Sequence, residues 1–302
     1  MEITLSGATG FVGTPLCEAL SGEGHQLRIL TRSPDRAAPG LPAGARAIRW
    51  DGDSSPTEGM DGADAVIHLA GESVTGRWTD EKKQRILDSR VNGTRAIVQA
   101  IGQANNPPRT LVSASAVGYY GDRGDQELTE AAEPGDDFLA DVAKAWEAEA
   151  AAAEALGVRV VRLRIGIVLA RGGGALGEML LPAQLGLGGP LGSGLQWWSW
   201  IDREDLISLI RFAVQQDSLT GAVNATAPDP ERQRDFAKKL GRVLGRPAFL
   251  PAPAFALRLI LGGFAAELLS SKLVLPQAAQ EAGFRFAHPR LEGSLENALN
   301  SV

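Results

Sequence analysis

A glycine-rich turn near the N-terminus constrains the fold more than any other feature of the sequence. It follows the strand-like apolar run 3–6 and precedes the helix-like segment 14–20. In that context, glycines at this spacing let the backbone approach a pyrophosphate, while the helix N-terminus offers free amides and the positive end of its dipole. The sequence therefore predicts dinucleotide binding by a turn made of Gly7, Thr9, Gly10, Phe11, Val12 and Gly13.

Strand-like and helix-like segments alternate from this turn to residue 170. After the first strand, strands are predicted at 26–31, 45–50, 65–70, 110–113 and 159–169, with later helices at 79–103 and 137–156. Thr79 is the expected N-cap of the first of these two helices. This rhythm is typical of an α/β fold with a doubly wound parallel sheet of the Rossmann type. We therefore expect an NADP-binding Rossmann domain over residues 1–170.

The pattern changes after residue 170. Residues 171–194 are rich in glycine and proline, which predicts a long loop. The apolar stretch 252–266 contains Arg258 and is too short to span a bilayer, so it is interpreted as a core helix. We expect a smaller C-terminal substrate-binding region over 171–302, with a terminal helical segment at 249–297.

Composition limits the classes of partner. The net charge is −6 with both signs interspersed, which argues against a nucleic-acid partner. The single cysteine, Cys17, allows no internal disulfide and fits a reducing, cytoplasmic environment. No histidine or cysteine pair has metal-ligand spacing, so no metal site is expected. A small-molecule substrate, no membrane association, and a monomer or homodimer are the expectations that remain.

The end of the second predicted strand distinguishes NAD from NADP. NAD enzymes usually carry an acidic residue there to hold the ribose hydroxyls. This chain has Thr31, Arg32 and Ser33 instead, with Arg36 close behind. A guanidinium can bind a 2′-phosphate through two parallel hydrogen bonds. The sequence therefore predicts NADP(H) as the cofactor.

Several further segments resemble one family. The sequences of the turn 7–13 and of 67–71 (IHLAG), 91–94 (VNGT) and 111–115 (LVSAS) resemble those of the extended short-chain dehydrogenase/reductases, the NAD(P)-dependent epimerase/dehydratase proteins. More narrowly, a second set of segments resembles the "epimerase family protein" branch, family 39U: 70–72 (AGE), 113–121 (SASAVGYYG), 137–140 (DFLA), 187–194 (LGGPLGSG), 199–201 (SWI) and 223–228 (VNATAP). The resemblance covers essentially the whole chain. It implies a Rossmann fold, NADP(H) binding with contacts from Leu69, Ala70 and Gly71, and a C-terminal helical segment.

The resemblance also shows a departure at the catalytic positions. The wider family uses a serine, a tyrosine acid/base and a lysine four residues after the tyrosine. Ser115 matches the serine, but Ala140 stands four residues before Lys144, and an alignment on Trp146 and Glu147 places Leu139 at the tyrosine position. Candidate catalytic residues are therefore Ser115, Tyr119, Tyr120, Glu72 and Lys144. His68, on an apolar strand, is interpreted as a satisfied core or site-wall residue.

Two functions remain open at this stage. One is an NADP(H)-dependent oxidoreductase or epimerase that acts on a small or sugar-like molecule. The other is a non-catalytic NADP(H)-binding regulatory protein, since the resemblance includes relatives with division-related names and the tyrosine is missing.

Overall fold

The computed structural model describes residues 1–300. The strands are β1 (Glu2–Ser6), β2 (Gln26–Thr31), β3 (Arg46–Arg49), β4 (Ala65–His68), β5 (Thr110–Ala116), β6 (Glu127–Leu128), β7 (Arg159–Ile165), β8 (Ile167–Leu169), β9 (Trp197–Trp198), β10 (Trp200–Asp202), β11 (Gly221–Ala225), β12 (Glu231–Arg232) and β13 (Leu273–Val274). The helices are α1 (Gly13–Gly22), α2 (Pro34–Ala37), α3 (Thr57–Met60), α4 (Asp80–Gln103), α5 (Phe138–Ala151), α6 (Gly174–Gln184), α7 (Arg203–Gln215), α8 (Gln233–Leu244), α9 (Ala254–Leu261), α10 (Phe264–Leu269), α11 (Gln277–Glu281) and α12 (Leu291–Asn300).

Within residues 1–300, seven strands form one parallel sheet in the order β11-β7-β5-β4-β1-β2-β3. The predicted doubly wound α/β fold is therefore confirmed. The central strands carry apolar side chains on both faces because helices cover both faces. One core includes α1 and α7, and the other includes α4 and the end of α5. The strand order reverses between β1 and β4, and such a switch point forms a ligand-binding crevice at the carboxyl edge.

Helix α4 begins as the sequence predicts. The Thr79 side chain accepts a hydrogen bond from the amide of Lys82, which satisfies one of the unpaired donors of the first turn. Helix α5 is capped in the same way by Asp137. The predicted sixth strand is broken at Gly166 into β7 and β8, because β8 leaves the main sheet to pair with β10.

Two predictions about the C-terminal region are wrong. The predicted loop 171–194 contains helix α6, whose N-terminal glycines 173 and 174 pack against the ring of Phe11. The predicted core helix at 252–266 is the short surface helix α9, which ends before Gly262. Three of its apolar side chains are largely exposed, namely Phe255, Leu259 and Ile260. None of the helices in residues 1–300 has the length and apolar character needed to cross a bilayer.

Candidate functional site

The glycines of the first turn are required by close backbone contacts. Gly7 has φ +73°, and a Cβ atom there would lie 2.8 Å from the carbonyl carbon of Leu69. A Cβ atom at Gly13 would overlap the carbonyl oxygen of Gly7 and lie 2.6 Å from Cα of Ala8. Within residues 1–300, the amides of Phe11, Val12 and Gly13 have no hydrogen-bond partner. Bare amides at the start of α1 are what an anion-binding helix N-terminus requires.

The end of β4 lies directly against this turn. Ser6 Oγ accepts a hydrogen bond from the amide of Ala70 at 3.3 Å and is hydrogen-bonded to Nδ1 of His68 at 2.6 Å. Burial lowers the pKa of His68 to about 4, so the ring is neutral near pH 7. The His68 Nε2 atom is buried without a partner among the described residues. His68 is therefore a fixed wall residue between β1 and β4, and it carries no charge into the site.

The end of β2 presents two exposed cations. Arg32 and Arg36 are exposed, and the hydroxyl of Thr31 accepts a hydrogen bond from the amide of Ser33 at 3.3 Å. A cavity of about 240 Å³ runs between the turn and α2 and is lined by residues that include Thr9, Thr14 and Arg36. A turn with free backbone amides beside a cavity that Arg36 lines fits the phosphates of a dinucleotide.

Glu72 is held as an anion just beyond β4. Its carboxylate pairs with the Lys82 ammonium at 2.8 Å and lies 3.8 Å from Nε of Arg85. The hydrogen bond from Lys82 and then the charges of Lys82, Arg85 and Arg32 hold the pKa of Glu72 below its usual value. At neutral pH this side chain accepts hydrogen bonds and does not serve as a proton donor.

A buried polar network connects β5, α5, β7 and β11. Ser115 Oγ donates to Glu147 at 2.7 Å, and Glu147 receives two hydrogen bonds from Arg164 at 2.8 and 2.9 Å. Arg164 Nη1 also donates to the Tyr120 hydroxyl at 2.9 Å, which donates to Asn224 at 2.6 Å. None of these five residues is more than 5% exposed. Burial raises the pKa of Tyr120 to about 12, so its phenol stays protonated.

Tyr119 differs from its neighbour in this network. Its ring stacks on the guanidinium of Arg164, with Cζ 3.5 Å from the ring centroid. The Tyr119 side chain is half-buried, and its hydroxyl has no hydrogen-bond partner within residues 1–300. Tyr119 and Tyr120 both follow the carboxyl end of β5. Within residues 1–300, only Tyr119 has a hydroxyl proton that is not donated to another side chain.

Lys144 lies apart from the other candidates. Its ammonium pairs with Asp141 at 2.7 Å and lies 3.4 Å from the carbonyl oxygen of Gly135. Leu139, at one of the two positions aligned with the family's tyrosine, packs against Gly118. The structure thus brings Ser115 and Tyr120 into one network, leaves Tyr119 at its edge, and keeps Glu72 and Lys144 outside it.

Sequence reasoning missed two members of the network, Glu147 and Asn224. Glu147 directly follows Trp146 on the buried face of an alanine-rich helix, and Asn224 lies inside the apolar strand β11. The sequence did contain a signal for both residues, because each places a charge or an amide at a position that periodicity assigns to the core. Such polar groups are kept in a core only when they are paired, so each indicates a buried partner. The partners themselves are 17 and 104 residues away in sequence.

One acidic cluster has groups that could ligate a metal. Asp202, Glu204 and His288 have side-chain oxygen and nitrogen atoms within 4.8 Å of one another in the described part of the chain. However, Asp202 already accepts hydrogen bonds from the amide of Glu204 and from the Ser294 hydroxyl. These contacts account for the cluster as a connection between the start of α7 and the C-terminal helix.

Comparisons with known proteins agree with this architecture. Residues 3–225 match the NAD dependent epimerase/dehydratase family, and residues 252–298 match a domain of unknown function, DUF1731. The Arabidopsis thaliana "Epimerase family protein SDR39U1 homolog, chloroplastic" is 41% identical over 298 residues, which cover 98% of this chain and 86% of that protein. "Epimerase family protein YfhF" from Bacillus subtilis is 38% identical over 301 residues, covering 99% of this chain and 98% of that protein. A crystal structure of human epimerase family protein SDR39U1 (isoform 2) with NADPH superposes with a TM-score of 0.89 at 33% identity, covering 100% of both chains.

Proposed function

This chain belongs to the NAD dependent epimerase/dehydratase family, and from that premise we propose that it is an NADP(H)-dependent oxidoreductase or epimerase acting on a small molecule. The observation that carries the proposal is the turn from Gly7 to Gly13, where close backbone contacts exclude a Cβ atom at Gly7 and Gly13 and the amides of Phe11, Val12 and Gly13 have no hydrogen-bond partner within residues 1–300. Such a turn binds a pyrophosphate.

The preference for NADP(H) rests on the residues beside that turn. Arg32 and Arg36 supply two cations where an acidic residue would hold the ribose of NAD. Arg36 also lines the cavity next to the turn, together with Thr9 of the turn itself. The human relative that aligns over the full chain was crystallised with NADPH. When bound, this cofactor supplies hydride transfer.

Tyr119 is the proposed proton donor and acceptor for that chemistry. Its phenol is free of intramolecular hydrogen bonds within residues 1–300 and lies at the ligand-binding edge of the sheet. The Arg164 guanidinium under its ring stabilises a developing phenolate electrostatically. Glu147 fixes that guanidinium through two hydrogen bonds. Ser115 and Tyr120 then act as positioning residues, because their protons are donated to Glu147 and Asn224.

The cofactor assignment is tested by titrating the protein with NADPH and NADH and following tryptophan fluorescence. We expect saturable NADPH binding that is stronger than NADH binding. Arg32→Gln should weaken NADPH by about 10- to 100-fold, the worth of a charge-assisted hydrogen bond, and leave NADH unchanged. Arg46→Gln is the matched control, because Arg46 is an exposed arginine at the opposite, amino end of the adjacent strand β3 and pairs only with the exposed Glu58. No saturable binding of either cofactor would overturn the proposal.

The role of Tyr119 is tested by comparing Tyr119→Phe with Tyr120→Phe. Activity is screened as a change in reduced-cofactor absorbance on a panel of carbonyl compounds, alcohols and nucleotide sugars. Loss of a proton-transfer group typically costs about 100- to 10,000-fold in rate, which we expect for Tyr119→Phe. Tyr120→Phe should instead lower stability, since it removes one buried hydrogen bond from the Asn224 side-chain oxygen and one from Nη1 of Arg164. The opposite pattern would reject Tyr119.

A second candidate function is a non-catalytic NADP(H)-binding regulatory protein. Two features of the site favour it. The Ser115 hydroxyl already donates its hydrogen bond to Glu147, and helix α5 carries leucine or alanine where the family's tyrosine would stand. This alternative predicts tight NADPH binding with no oxidation of NADPH by any compound of a metabolite extract. Turnover that is abolished in Tyr119→Phe would eliminate it.

A further inference from the structure

A large uncovered apolar surface lies in the C-terminal region. Six large side chains there are 59–76% exposed. Because a large apolar side chain offers about 150–250 Å² of surface, they together present roughly 700 to 800 Å² to solvent. The largest apolar patch of a typical monomer is about 300–600 Å² and is often a binding surface. The six residues are Leu181, Leu185, Leu187, Phe249, Phe255 and Leu259.

These side chains belong to two runs of sequence, 181–191 and 247–261, that lie side by side. The amide of Gly192 donates a hydrogen bond to the carbonyl oxygen of Ala252 at 2.9 Å, and the amide of Ala252 donates to the carbonyl oxygen of Pro190 at 2.8 Å. The end of α6, the segment that follows it, the segment before α9 and α9 itself therefore form one continuous surface. We call this surface of the two runs the apolar face.

The apolar face has one charged residue toward each end. Its two runs contain a single charged residue, Arg258, which shares a side of α9 with Phe255 and Leu259 because residues three and four apart are neighbours on a helix. At the other end, Glu178 stands three residues before Leu181 on α6. Both charged side chains are exposed, and neither forms an ion pair within residues 1–300.

The composition of the apolar face indicates which partner fits it. An anionic membrane surface is bound through clusters of lysine and arginine, whereas the two runs hold one cation and the whole chain has a net charge of −6. A second copy of the chain presents the same almost uncharged surface, and homodimer interfaces are the more apolar ones. The area agrees as well, since a standard interface buries about 800 Å² per partner.

The two charges at the ends select one arrangement of the two copies. In a two-fold dimer, a contact between two different residues occurs twice. When the copies lie antiparallel along the face, Glu178 of one protomer meets the partner's Arg258, and both of the resulting pairs are attractive. When equal ends meet instead, two glutamates and two arginines repel each other. Charge complementarity therefore favours the antiparallel arrangement.

We propose that the apolar face is the interface of a homodimer in which the copies lie antiparallel and Glu178 of each protomer pairs with the partner's Arg258. The apolar residues that the sequence assigns to a core helix at 252–266 are then buried by a second copy of the chain. The interface lies apart from the turn at 7–13, so this proposal does not depend on the cofactor assignment.

Leu259→Glu tests the apolar contact by placing an unpaired carboxylate inside the interface. We expect the wild type to sediment as a dimer at micromolar concentration, and Leu259→Glu to raise the dissociation constant of the dimer at least about 100-fold. Leu156→Glu is the matched control, because Leu156 is an exposed leucine outside both runs and its replacement should leave the dimer unchanged. Circular dichroism checks that each variant folds, and Leu259→Ser is the second variant if Leu259→Glu does not.

Charge reversal tests the antiparallel arrangement. Arg258→Glu or Glu178→Arg alone replaces two attractive pairs by two repulsive ones, which should weaken the dimer about tenfold. The double variant restores both pairs with exchanged signs, so its dissociation constant should return to within about threefold of the wild-type value. Arg285→Glu reverses an exposed arginine outside the two runs and should have no effect.

The proposal is overturned if the wild type is a monomer at every concentration, or if Leu259→Glu forms the same dimer as the wild type. A double variant that does not regain the dimer overturns the pairing of Glu178 with the partner's Arg258. A membrane as the occupant has a signature of its own. A wild type that stays monomeric and co-sediments with vesicles of phosphatidylglycerol and phosphatidylcholine, when Leu259→Glu does not, contradicts a second copy of the chain.

Discussion

The nucleotide turn and the buried network at the end of β5 lie at the same edge of one sheet but are built in opposite ways. The turn is backbone, and its geometry comes from seven consecutive residues, 7–13. The network is made of side chains, and its hydrogen bonds join Ser115 to Glu147 and Tyr120 to Asn224 across 32 and 104 positions. In the proposed function, the turn binds anions through amides, which any helix start provides. The stability of the network depends on the pairing of each buried charge with one particular side chain.

This difference predicts different failures. A network of buried charges should lose stability when one partner is removed, because the remaining charge stays desolvated. A backbone turn should lose ligand affinity when a Cβ atom is added, because the bare surface is what the ligand contacts. Four experiments test this contrast, in order of decreasing expected effect.

Glu147→Ala should have the largest effect. It leaves the buried Arg164 guanidinium without its carboxylate, which costs about 3–5 kcal/mol in the free energy of unfolding. Glu149→Ala, two residues further along α5, breaks the more exposed pair with Arg95 and should cost about 0–1 kcal/mol. Urea unfolding followed by circular dichroism measures both values. Equal losses in the free energy of unfolding for the two variants would mean that burial does not determine how much an ion pair contributes to stability.

The double variant Glu147→Leu with Arg164→Met sharpens the same point. Replacing both charges by apolar side chains removes the desolvation penalty together with the attraction. We expect this variant to regain part of the stability that Glu147→Ala loses. If it were less stable than Glu147→Ala, the remaining hydrogen bonds of Arg164, such as the one to Tyr120, would matter more than the desolvation of its charge.

His68 should make stability depend on pH in a defined window. The unfolded chain takes up a proton on His68 below about pH 6.5, whereas the buried ring does so only near pH 4. Stability is therefore complete above pH 6.5 and falls as the pH decreases toward 4, by up to about 3 kcal/mol. The measurement is urea unfolding at pH 7 and pH 4.5 for the wild type and His68→Leu, and the variant should lose less. His25→Gln is the control: burial also lowers the pKa of this less buried histidine, so the variant should change the pH dependence in the same direction but less than His68→Leu does.

Gly13→Ala should have a smaller effect that falls mainly on binding. The added Cβ atom would overlap the carbonyl oxygen of Gly7, so the turn must shift. We expect at least about tenfold weaker NADPH binding, which corresponds to about 1.4 kcal/mol. Gly22→Ala, at the far end of the same helix, meets nothing within 4 Å and should leave binding unchanged. If Gly13→Ala bound NADPH normally, the turn would not be the pyrophosphate site.

The predictions from sequence succeeded or failed according to the range of the interactions involved. The parallel sheet, the start of α4 at Thr79 and the family were confirmed, because periodicity and capping act over a few residues. Helix α6 was missed because its glycines suit a loop, and only contact with Phe11 accounts for them. Helix α9 was assigned to the core because hydrophobicity alone does not say whether another element covers a given face.

The sequence by itself determined the sheet class, the nucleotide turn and the family, since these depend on the order of residues along short stretches of chain. Only the tertiary structure decided which phenol keeps a free proton and that Ser115 is bonded to Glu147. Those properties depend on distances between side chains that are far apart in sequence. The physical reason is that the protonation and pairing of a buried group are set by its neighbours in space.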